Sequence, residues 1–202
     1  MAFLKASTSF TRFRITDPVP ATLWPEIIDR LRRFSFKDID AIPEETSIGW
    51  TSFEDMLDVE FNQNPVEKGV YLAFSLRQDT RRVPAAVIKK YYAMALKEEE
   101  AFNRDQGRKF VSRDRKKELK EQVLLKLRMR FLPIPAEFQV VWNTTNGVVF
   151  FASTQGSMLD KFQEEFTKTF DLHLEPLTPY WLASTLLPET GAIDTLEPTT
   201  FV

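Results

Sequence analysis

The sequence predicts an α+β fold, and three observations carry that prediction. Segments alternating apolar with polar residues sit beside segments with apolar residues at helical spacing. The two kinds do not alternate strictly along the chain, and an Asn-Gly pair at Asn146-Gly147 points to an antiparallel hairpin rather than to parallel crossovers. The expected architecture is antiparallel or mixed sheet with hairpins, packed by amphipathic helices, and a projecting basic helical hairpin.

Residues 3–15 read as a strand, with Phe10, Phe13 and Ile15 supplying bulk. Pro18 and Pro20 break the chain, and residues 21–34 show helical spacing through Leu23, Ile27, Ile28 and Leu31, closed by Arg30, Arg32 and Arg33 where cations suit the helix dipole. Strands are predicted over 34–39, 56–62 and 70–76, the last after a turn at Glu67-Lys68-Gly69. Pro84 opens a long helix at the position that tolerates proline best. The stripe Val87, Ile88, Tyr91, Tyr92, Ala95, Leu96 carries this helix to about Phe102. A turn over 103–107 follows. Ser112 then caps a second helix whose apolar side is Leu119, Val123, Leu124 and Leu127, ending before Pro133. Strands over 138–142 and 148–152 make the hairpin. Met158, Leu159, Phe162, Phe166 and Phe170 mark another helix, and 172–174 a short closing strand. The organisation expected is an N-terminal α+β part over 1–80, a basic helical hairpin over 81–133, a β-hairpin and helix completing the core over 134–182, and a loosely structured tail over 183–202.

Composition narrows the function. With 202 residues and 43% apolar side chains the chain can bury a sizeable core. It contains no cysteine, which removes disulfides, thiolate nucleophiles and cysteine-ligated metals, and fits a reducing compartment. The first fifteen residues lack the apolar run of a secretory signal, and no later run has the length of a membrane span. A soluble, cytoplasmic protein is expected.

The net charge of −2 conceals a strong asymmetry. Residues 77–130 hold 17 Lys/Arg against 8 Asp/Glu, a local +9, while the remainder holds 10 against 21, or −11. A basic face on an acidic body attracts polyanions in spite of an unremarkable pI. Lys90, Lys97 and Arg104 fall seven apart on one helical face. Arg113, Lys116, Lys117 and Lys120 form the equivalent ridge on the next helix, continued by Lys126 and Arg130, with Arg81, Arg82, Arg108 and Lys109 just outside the helices. Such ridges would neutralise a row of phosphates and release counterions. No base-reading motif accompanies them, so binding without sequence preference follows. The competing view is an ordinary solvated helix pair whose cations are matched by Glu98, Glu99, Glu100, Asp114, Glu118 and Glu121.

The segment Arg81-Arg82-Val83-Pro84-Ala85-Ala86-Val87-Ile88-Lys89-Lys90, the later run from Lys116-Lys117-Glu118-Leu119-Lys120 to Leu124, and Val141-Trp142 followed by Asn146-Gly147-Val148-Val149-Phe150 stand in an informative order. So do residues 159–170 with Pro176-Leu177, and Gly49-Trp50 upstream. Together they resemble the recombination-associated RdgC family over about residues 3–182. The resemblance implies a non-enzymatic protein that binds double- and single-stranded DNA without sequence preference, restrains the RecA recombinase and forms ring-shaped homodimers around DNA, with a nucleoid-associated location. The basic positions of this chain that match the family are Arg81 or Arg82, Lys89, Lys116, Lys117 and Lys120, and the role expected of them is phosphate contact. Members typically continue well beyond a chain of this length, and that portion contributes to closing the ring. Where the family tends to show Leu-Pro-Arg-Ala-Phe after the second basic helix, this sequence has Arg130-Phe131-Leu132-Pro133-Ile134-Pro135, so no role of that motif carries over.

No catalytic residue, cofactor or metal is expected. His173 is the only histidine, predicted as a packed, hydrogen-bonded side chain in a strand. The enzyme reading kept open is a magnesium-dependent nuclease using Asp55, Asp58 and Glu60, the last two sharing a strand face. A third reading is a protein-interaction module acting on a recombination or replication partner through Phe34, Phe36, Trp50, Phe53, Trp181 and Phe201, most of which are equally explained as core.

Overall fold

The structure, a computed structural model, describes residue 3, residues 8–107 and residues 110–187. Twelve elements follow in order: β1 (Thr11–Ile15), α1 (Leu23–Arg33), β2 (Thr46–Ser52), β3 (Glu67–Lys68), β4 (Tyr71–Thr80), α2 (Ala85–Asp105), α3 (Arg113–Arg128), β5 (Ile134–Asn143), β6 (Val148–Phe151), α4 (Gly156–Phe170), β7 (Leu174–Pro176) and α5 (Pro179–Leu186). The seven strands form one sheet in the order β2-β4-β5-β6-β1-β7, with β3 also pairing β4. The α+β class is therefore what the chain adopts. The β5–β6 hairpin reverses where the sequence indicates: Gly147 has φ +66, a left-handed conformation that glycine enters without a Cβ penalty.

The described residues form two compact units, one drawn from 1–35, 50–76 and 138–202, the other from 36–49 and 77–137. In the first, aromatic side chains make the core. Phe162 of α4 stacks on Phe151 of β6 with centroids 4.0 Å apart and planes 6° from parallel, and also meets Phe13, Trp50 and Phe166. Trp142 packs edge-on against Phe166 and Phe170. Trp50 is fully buried, and its indole N–H donates to the Thr169 hydroxyl at 2.7 Å, which satisfies the one polar atom that burial would penalise.

Several local expectations are corrected. Among the described residues the first strand covers only 11–15, and residues 4–7 of the expected 3–15 lie outside them. Residues 34–39 form no strand beyond a single parallel bridge from Ser35 to Trp50. The true strand is β2, which the sequence reading did not single out. Residues 56–62 are a loop: Asp55 accepts the Leu57 amide, Asp58 accepts those of Glu60 and Gln63, and Phe61 sits at φ 55. Carboxylates that cap their own chain two residues on favour turns over a ladder. The closing strand falls at Leu174–Pro176, two residues later than expected, and α5, capped by the Thr178 hydroxyl accepting the Trp181 amide, includes residues 183–186 of the expected loose tail, of which 188–202 lie outside the described residues.

In the second unit, α2 and α3 pack as an antiparallel pair. Pro84 is the N-cap of α2, and the Ser112 hydroxyl accepts the Arg115 amide at the start of α3. Leu119, Val123 and Leu127 are the buried face of α3, whereas Asn103 is the one buried residue of α2.

Candidate nucleic-acid interface

The helical pair is joined on one side by Arg115. Its guanidinium makes a two-pronged bond to Glu99 of α2, at 2.9 and 3.0 Å, and a further bond to Glu118 at 3.0 Å. The hydrogen bonds from Arg115 hold the Glu99 carboxyl below the usual carboxylate range. Near the other end Arg128 pairs with Glu45.

These are the ion pairs of the helical pair among the described residues, and they leave the ridges unmatched. Lys89, Lys90, Lys97 and Arg104 on α2 are exposed, as are Arg113, Lys116, Lys117, Lys120 and Lys126 on α3, Arg130 beyond it and Arg82 before the pair. Of the acids that the solvated-helix view requires, Glu99 and Glu118 are engaged, both by Arg115, while Glu98, Glu100, Asp114 and Glu121 enter no ion pair among the described residues. Lys90 Nζ and Arg130 Cζ lie over the Tyr91 ring, 5.6 and 5.8 Å from its centroid, so one aromatic ring holds two cations. At the tip, Arg104 and Lys116 line a cleft of about 690 Å³ with Asn103, Val111 and Phe110, whose ring is 86% exposed. The sequence reading passed over Phe110, because an isolated aromatic in a turn carries no periodic signal.

Arg81 departs from its expected role. It is 2% exposed, and its Nη atoms donate to the carbonyls of Ile42, Glu44 and Ile39 at 2.5, 3.0 and 2.8 Å, so it fastens the 39–45 loop and is sealed from any polyanion. Arg82, exposed beside it, is the member of that pair able to meet a phosphate. Arg108 and Lys109 lie outside the described residues.

The other candidates are also placed. Among the described residues, no group of three or more His, Asp or Glu side chains is arranged to hold a metal ion. Asp58 and Glu60 share no strand face, since no strand exists there. The His173 ring is exposed rather than packed, with Nδ1 3.0 Å from the Asp17 carboxylate, and hydrogen bonds from His173 lower the Asp17 pKa. Of the proposed interaction aromatics, Trp50, Phe36 and Phe53 are core, Phe34 and Trp181 are half-buried, and Phe201 lies outside the described residues.

A family model described as "Putative exonuclease, RdgC" matches residues 8–188. The chain belongs to the RdgC family. Membership makes it a recombination-associated protein, and the matched span contains both basic helices and the whole sheet. Among curated proteins, none matches the chain. No helix among the described residues is long and apolar enough to cross a membrane.

Proposed function

We propose that this RdgC-family chain is a non-catalytic, sequence-independent DNA-binding protein of the cytoplasm and nucleoid that restrains the RecA recombinase by occupying double- or single-stranded DNA, and that it works as a homodimer. The observation that carries the proposal is the row of exposed cations on α2 and α3 that no carboxylate pairs with among the described residues. Lysines free of internal partners can exchange condensed counterions for contacts of their own. Contacts confined to phosphates give affinity without reading bases. Obstruction of a recombinase filament then requires only residence on the DNA.

The description of the family as a putative exonuclease raises nuclease chemistry, and the use of Asp55 and Asp58 weighs against it here. One oxygen of Asp55 and both of Asp58 accept main-chain amides, so these carboxylates hold the turns of their own loop. The non-catalytic part is tested directly by incubating highly purified protein with linear duplex and single strands in magnesium and in manganese. The expected result is DNA of unchanged length at protein concentrations that retard it on a gel. Progressive shortening that co-purifies with the protein would overturn it.

A further inference from the structure

A second feature of the helical unit lies at the start of α2. A cleft of about 530 Å³ is walled there by Arg81, Arg82, Pro84, Leu124, Arg128 and Glu45. Arg82, which is exposed, and Arg128, which is partly exposed, thus line the cleft with a single carboxylate, and buried Arg81 adds charge to the wall but no contact. Arg81 is buried, and among the described residues no carboxylate pairs with it; backbone carbonyls take its Nη protons, and its Nε–H has no partner. A desolvated cation held only by carbonyl dipoles leaves an unbalanced positive potential, which an anion nearby would relieve. Helix α2 adds to it. Pro84 caps its 21 residues without a side-chain hydrogen bond, and its first turn contains no acid, so the positive end of the helix dipole meets the same space uncompensated.

The lone carboxylate is informative. Glu45 is engaged by Arg128, while its main-chain carbonyl accepts the Arg81 amide at 2.7 Å. An oxyanion thus already occupies part of the position that the surrounding charge favours. We propose that this cleft is a phosphate-binding site and that Glu45 is its resident competitor: an arriving phosphate takes Arg128 and Arg82, and the Glu45 carboxylate swings out. Planar guanidinium groups suit a tetrahedral dianion or a phosphodiester through paired N–H donors. The phosphate source is either the backbone of bound DNA, in which case the site deepens the DNA-binding proposal and rests on it, or free phosphate, in which case it stands apart from that reading.

The test uses the full chain and inorganic phosphate, with binding followed by equilibrium dialysis at constant ionic strength. Glu45→Gln is expected to tighten phosphate binding about fivefold, the scale of one partly exposed charge pair, and Arg82→Gln and Arg128→Gln to weaken it by a similar factor. Arg82 is exposed and enters no ion pair among the described residues, so its variant leaves the fold intact even where Arg128→Gln loosens the loop. Duplex DNA that displaces phosphate from the wild-type chain identifies the source as the DNA backbone. Simultaneous, independent binding identifies free phosphate. Phosphate binding that is absent, or equal in wild type, Glu45→Gln and Arg82→Gln, overturns the inference, and does so while leaving the hairpin proposal standing if DNA still binds.

Discussion

Replacing Lys116, Lys117 and Lys120 together by glutamate is expected to lower affinity for every duplex alike, by roughly 100-fold or more at low salt, and to flatten the dependence of log K on log salt by about 3, close to one per phosphate contact removed. The fold should survive the change. All three side chains are exposed and outside the ion pairs, the Ser112 cap and the Arg115–Glu99 bond are untouched, and acids near the beginning of α3 suit its dipole. Circular dichroism melts checked beside fluorescence anisotropy separate lost contact from lost structure. A protein-interaction module would keep whatever weak DNA affinity it has through the same substitutions. Its candidate surface is in any case reduced, because Trp50, Phe36 and Phe53 are core.

The second large effect concerns the aromatic core of the first unit. Phe162→Ala removes a fully buried ring that stacks on Phe151 and touches Phe13, Trp50 and Phe166. The expected cost is about 3–5 kcal/mol, because neighbouring aromatic rings can only partly collapse into the space. For a chain of this size that is a fall in Tm of roughly 10 °C. A shift of only a degree or two in a thermal melt would mean that α4 does not close the core as described.

The legible parts of the fold were those in which a single side-chain pattern decides the matter. The stripes of α1, α3 and α4, the Ser112 cap and the Asn-Gly reversal each express a local rule, and each is present. Strand β2 was not legible because Thr46–Ser52 is rich in Thr, Ser and Gly; what makes it a strand is pairing with β4, a distant segment. The loop after Phe53 misled in the opposite sense: Met56, Leu57, Val59 and Phe61 look like strand material, but the Asp55 and Asp58 carboxylates supply turns. On α2 and α3, helical phase indicated which lysines are exposed. It did not separate Arg81 from Arg82, since adjacent arginines have the same chemistry in sequence and differ only in whether tertiary carbonyls surround the guanidinium. His173 is a similar case. Its apolar neighbours Leu172 and Leu174 are buried, and the imidazole between them faces solvent.

The most direct test of the central claim is an anisotropy titration of the purified chain against two unrelated duplexes of equal length across a salt series. The account predicts equal affinities for the two and a steep, parallel loss of both as salt rises, the signature of phosphate contacts made by lysine and arginine. A marked preference for one duplex, or no binding even at the lowest salt, would contradict it.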